Sequence, residues 1–137
     1  MNNRVIISAA LVLLLALATA GCARLKTDVD SDTITDAESL VEYLRENHIS
    51  LLDHGPFISQ QMSVTGYEYT PLSGGILRVF KYPTDADALA DVAQVERGRD
   101  VRQPRHLYRK KDLVVIYEGD DPRIERALLR IFGSRLA

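Results

Sequence analysis

The chain has a single cysteine, Cys22, among 137 residues, so an internal disulfide is excluded and core packing alone must stabilise the fold. A body of about 100 residues can do this, because chains of that size bury well over half of their unfolded surface. Charge of one sign is also lacking: 17 Lys and Arg face 19 Asp and Glu, a formal net charge of -2. That balance removes the global electrostatic case for nucleic-acid binding, which calls for a basic domain or stripe. No glycine-rich phosphate loop is present, since Ser73-Gly74-Gly75 lacks the following lysine and helix start. No apolar run reaches the roughly 20 residues that a membrane-spanning helix needs. What remains, 46% hydrophobic and 26% charged residues, is an ordinary globular composition with room for one domain.

The longest apolar run, Val5 to Ala18, is interrupted only by Ser8, follows the polar start Met1-Asn2-Asn3-Arg4, and leads into Thr19-Ala20-Gly21 before Cys22. This is the three-part layout of a secretory signal peptide over 1–21. Leu17-Ala18-Thr19-Ala20-Gly21-Cys22 resembles the lipobox of bacterial lipoproteins, with Thr19 where that class usually has leucine. The resemblance implies cleavage between Gly21 and Cys22, diacylglycerol on the Cys22 thiol, and acylation, for instance by palmitate, of the new amino terminus. Two or more acyl chains anchor a protein stably where one binds only marginally. The implied place is the bacterial cell envelope, outside the cytoplasm. Ala23 lacks the aspartate that resembles an inner-membrane retention signal, so in a cell with two membranes the expectation is the outer membrane, facing the periplasm.

Residues 22–34 then read as a lipidated polar tether, with Asp28, Asp30 and Asp32 alternating with Val29 and Ser31. The alternation lacks the glycine and closing glutamate of a calcium loop. Thr35 and Glu38 suggest a capping box, and Ala37, Leu40, Val41 and Leu44 recur at helical spacing, predicting a helix over 36–47. Ile58, Gln60, Met62 and Val64 alternate toward Tyr67, Tyr69 and Pro71; after the turn at Ser73-Gly74-Gly75, Ile76 to Tyr82 reads as a returning strand. Thr84 caps a second helix, with Leu89, Ala90, Val92 and Ala93 apolar and Gly98 as its stop. A second hairpin turns at Lys110-Lys111-Asp112. A third helix starts at Asp121-Pro122, carries Ile124, Ala127, Leu128 and Ile131 on one face, and ends at Gly133. The expectation is one α+β domain over 35–137 in the order αββαββα, with about four antiparallel strands and three helices on one face. Val79, Phe80, Tyr82, Leu89 and Ala93 shifted by 35 positions meet Val114, Val115, Tyr117, Ile124 and Leu128, which would make a duplicated ββα unit.

Two local groups carry candidate chemistry. Asp53 and His54, with His48 nearby, set imidazole beside carboxylate and could serve a general base or a metal; the stretch Leu51 to Pro56 also reads simply as a helix-exit turn. Arg97, Arg99, Arg102, Arg105, Arg109, Lys110 and Lys111 form a basic stretch whose guanidinium groups suit phosphate or carboxylate. Its natural partners in an envelope are an acidic protein face, an anionic lipid or a cell-wall polymer, and its blander role is pairing with neighbouring Asp and Glu. The tyrosines of the predicted strands read chiefly as sheet packing. No cofactor, no metal site and no nucleic-acid partner is expected. The sequence thus points to a lipid-anchored module that binds or scaffolds, with a small hydrolase or metal-dependent enzyme at His48, Asp53 and His54, or an accessory subunit of an envelope transport or secretion complex, as the alternatives.

Overall fold

The structure, a computed structural model, describes residues 30–98 and 105–136. The signal segment with Gly21 and Cys22, most of the tether, and Arg99 and Arg102 lie outside the described residues. The element order is a 3-10 turn Ser31–Thr33, helix α1 Ala37–Glu46, strands β1 Leu51–Ile58, β2 Thr65–Pro71 and β3 Ile76–Lys81, helix α2 Asp85–Arg97, strands β4 His106–Lys110 and β5 Leu113–Glu118, and helix α3 Pro122–Phe132. This is the expected α+β class. One antiparallel sheet runs β1-β2-β3-β5-β4, with five strands rather than about four.

The additional strand comes from Leu51 to Pro56, which the sequence reads as a helix-exit turn. In β1, Asp53 pairs with Tyr69 and Gly55 with Glu68, leaving His54 as the extra residue of a bulge. Gly55 takes φ +82 there, a conformation glycine adopts without strain, and its N–H donates to the Asp53 carboxylate at 2.7 Å. Pro56 is tolerated because β1 is an edge strand and one of its sides needs no donor. The strand then ends at Ile58, so the alternating residues Gln60, Met62 and Val64 belong to a loop instead.

Helices cover both faces of the sheet, not one. On the first face, Leu77, Val79, Tyr108, Leu113, Val115 and Tyr117 pack beneath α1 and α3 in one core cluster. On the second, Phe80, Tyr82, Leu107, Val114 and Ile116 pack with Ala88, Val92 and Val95 of α2. The reason is the chain path. β3 and β4 run parallel with β5 between them, so α2 must cross one face as a connection, and α3 returns over the other. Every residue from Leu113 to Tyr117 is buried, as a strand covered on both sides requires.

The same arrangement argues against duplication. Val79 and Val115 share the first face while Phe80 and Val114 share the second, so a shift of 35 maps residues onto the wrong sides. The two ββα units put their helices on opposite faces and have opposite hand.

Local sequence fixes the helix ends. α1 is capped by Asp36, whose carboxylate accepts from the Ser39 N–H at 2.8 Å while the Ser39 hydroxyl oxygen accepts from the Asp36 N–H at 3.2 Å; this box sits one residue later than the Thr35 and Glu38 pair the sequence suggests. Thr84 and Asp121 cap α2 and α3 as expected, and Gly133 closes α3 at φ +77. On α2 the buried residues are Ala88, Asp91, Val92 and Val95, a face rotated away from the expected Leu89 and Ala93. Asp91 can be buried because its carboxylate accepts from the Ser63 N–H (2.6 Å), the Ser63 hydroxyl (2.7 Å) and the Tyr82 hydroxyl (2.9 Å). These bonds tie loop 59–64 and β3's exit to α2. Before α1, Ile34 is only 6% exposed in the first core, so the end of the stretch read as tether joins the packed body.

Candidate functional site

The sequence-flagged histidines and carboxylate are separated by their backbone roles. His48 follows α1 at φ +61, its N–H donating to the Arg45 carbonyl and that of Ile49 to the Leu44 carbonyl, both at 2.9 Å. That is a Schellman helix end with histidine at the usual glycine position. Asp53 lies on the α1 side of β1, where its carboxylate holds the bulge. The His54 Nε2 instead meets the Thr70 hydroxyl at 2.8 Å. The three side chains therefore do not converge. Among the described residues, no group of three or more His, Cys, Asp and Glu could hold a metal ion.

The basic stretch is likewise dispersed where it is described. Arg105 donates to Glu118 at 2.9 Å and to Gln61 at 2.9 Å. Alternation along β4 then sends Arg109 to the α2 side, where it pairs with Asp85 and donates to the Lys111 carbonyl at 3.0 Å. Lys110 points to the other side and pairs with Asp32 at 3.0 Å. Lys111 sits exposed in the β4–β5 turn at φ +53. Arg105, Arg109 and Lys110 thus take up intramolecular acidic partners on two faces of the sheet, while Arg97 and Lys111 are exposed and in no ion pair among the described residues, and the stretch does not present one basic patch.

A cleft of about 1030 Å³ opens where the helices leave the first face uncovered. α1 lies over β3 and α3 over β4, so the β1–β2 end of the sheet is only partly covered: Tyr69 is buried in the cluster with α1, whereas Tyr67 is open. Val41 and Val79 form the inner wall, and Tyr67 and Tyr69, two apart on β2, project to the same side as the floor. Tyr67 is 46% exposed. Burial, and then the facing Asp53 carboxylate, push the Tyr69 phenol up from its ordinary pKa.

The rim is acidic. Asp36, Glu38, Glu42, Glu46 and Asp53 line it against Arg45 and Lys81. Lys81 is already paired with Asp112 at 2.8 Å. The Asp36 carboxyl, engaged by the Ser39 N–H and hydroxyl, is held below the usual carboxylate range. Glu38, Glu42 and Glu46 recur every four residues along α1, and none is in an ion pair among the described residues. Like charges at that spacing oppose helix formation by a few tenths of a kcal/mol per pair. Chemically the cleft can hold a positively charged group by its rim and an aromatic or aliphatic one on its tyrosine floor.

Sequence reading missed this site. The glutamate spacing was visible, but which strands would lie open beneath α1 was not, because that depends on sheet order. Comparison with known protein families, with characterised proteins and with solved structures finds no match for the chain. Among the described residues, no helix is long and apolar enough to cross a membrane.

Proposed function

We propose that this chain is an envelope lipoprotein, held to a lipid leaflet by acyl chains on Cys22, whose domain is a binding module rather than a catalyst. In a cell with two membranes its place is the periplasmic side of the outer membrane. The Leu17 to Cys22 segment supports the anchor. The observation that carries the binding role is the cleft under α1, with Tyr67 and Tyr69 beneath an acidic rim. Its charge favours a partner opposite in kind to those suggested by the basic stretch: a basic segment of another envelope protein, bearing at least one aromatic or aliphatic side chain.

The two halves of the proposal are tested separately. Cys22→Ser is expected to move the protein from the membrane to the soluble fraction; a chain that stays on the membrane unmodified overturns the anchor. For the cleft, a photoreactive amino acid replaces Tyr67 in one variant and the distant α2 residue Leu89 in another, and intact cells are irradiated. A crosslinked partner is expected from position 67 alone, and it should be lost when Glu42 and Glu46 become lysine. Identical products from both positions, or products indifferent to the charge reversal, would count against the cleft.

A further inference from the structure

The outer face of α3 carries a second patch of unbalanced charge among the described residues. Ile124, Ala127, Leu128, Ile131 and Phe132 are buried. Arg123, Arg126 and Arg130 are exposed, and at 100° per residue they fall within an arc of about 60°. Leu129, 40% exposed, borders them. Arg123 is paired with Asp121 at 2.9 Å, whereas Arg126 and Arg130 are in no ion pair among the described residues. The helix's one acidic residue, Glu125, is partly buried and turned toward His106 at 3.5 Å.

The second observation is where the chain enters the body. The 3-10 turn Ser31–Thr33 packs against α3, and Ile34 joins Ile124 and Leu128 in one core cluster. The eight steps from Cys22 to Asp30 span at most about 29 Å when fully extended. A body of this size is itself roughly 35 Å across, so the side bearing α3 reaches the bilayer on a slack tether and the α2 side does not.

We infer that α3 is the membrane-facing surface of the domain, with Arg126 and Arg130 bound to anionic lipid headgroups and Leu129 at the interface. This rests on the proposed lipid anchor. The basic residues that do this work are then those of α3, outside the 97–111 stretch. Each arginine at an anionic surface strengthens association roughly fivefold, an effect confined to about a Debye length. Because α1 shares this face of the sheet, such contacts would tilt the domain onto its β4 edge, where α3 lies, and keep the acidic rim of α1, over β3, farther from the like-charged lipid.

The lipidated protein, purified from membranes, can be reconstituted into vesicles rich in phosphatidylglycerol or made of phosphatidylcholine alone. Cys22 is acylated, so a fluorophore on Leu129→Cys or, as control, Leu89→Cys reports one position. A lipid-borne quencher should dim position 129 in the anionic vesicles and leave position 89 bright. The difference should vanish in high salt, in phosphatidylcholine, and in Arg126→Glu/Arg130→Glu, for which headgroup association falls at least about 25-fold; both arginines are exposed, and circular dichroism checks that this variant is folded. Equal quenching at both positions, or quenching at 129 indifferent to lipid charge, overturns the inference while leaving the anchor intact. Protein that does not remain with either vesicle removes the anchor reading and this inference with it.

Discussion

Gly66 sits where β2 passes beneath an aromatic ring on β3. A Cβ added there would lie 2.6 Å from the Phe80 ring and 2.7 Å from the Val79 carbonyl oxygen. Backbone cannot yield as a flexible side chain can, so Gly66→Ala is expected to lower stability by about 1–3 kcal/mol, read as a reduced urea midpoint. Asp91 illustrates the opposite problem, a charge placed in a nearly closed site. Burial pushes its carboxyl pKa up, but the Ser63 N–H, the Ser63 hydroxyl and the Tyr82 hydroxyl together outweigh burial and hold it below the ordinary value. A carboxylate with a depressed folded-state pKa contributes stability above its unfolded value near about pH 4, and that contribution is lost as pH falls through the folded value. Asp91→Asn should therefore cost about 1–3 kcal/mol at neutral pH, with a gap from the parent that narrows in acid. Urea midpoints measured at both pH values test this; a gap that is constant with pH would sink it.

At the scale of elements, α1 combines a well-made frame with an unfavourable surface. Its capping box and Schellman end are complete, yet three glutamates repel one another along the cleft. Glu42→Lys is expected to raise stability by a few tenths of a kcal/mol in thermal unfolding while weakening retention of the position 67 crosslink. An improvement in both would mean the stripe has no binding role. At the other end of the helix, His48 adopts a left-handed conformation that costs an ordinary residue about 1–2 kcal/mol, partly offset by the extra unfolded-state freedom of glycine. His48→Gly should stabilise the protein by about 0.5–1 kcal/mol. Loss of stability would show that the imidazole does more than occupy a turn.

Across the whole molecule, one sheet serves as a wall shared by two cores. Val114 and Val115 are adjacent in sequence but belong to different clusters, so neither layer of helices can leave without exposing a face of β3 and β5. Val92→Ala under α2 and Leu128→Ala under α3 should each lower a single cooperative unfolding transition, by about 1–4 kcal/mol. Far-ultraviolet and near-ultraviolet circular dichroism should trace coincident curves for both variants. Two resolved transitions would mean that the layers unfold independently.

The sequence by itself determined whatever depends on neighbours a few residues apart. The caps at Thr84 and Asp121, the buried stripe of α3 and the hairpin turns after Pro71 and Lys110 follow from side chains reaching their own backbone or from helical periodicity, and with them the α+β class. The lipobox resemblance at Cys22 is local in the same way. Only the tertiary structure decided what depends on strand order and on sides of the sheet. It made a bulged edge strand of Leu51 to Ile58, where a local reading of Asp53 to Pro56 favours a turn, because pairing with β2 outweighs the turn preference of Gly55-Pro56. It set α2 against the second face, whereas the sequence suggests helices on one face, and so placed Asp91 inward. It parted Asp53 from His54, divided Arg109 from Lys110, and left Tyr67 exposed beside α1, next to the buried Tyr69. Each of these outcomes joins residues distant in sequence, and no short-range spacing encodes which faces of a sheet the connections will cover.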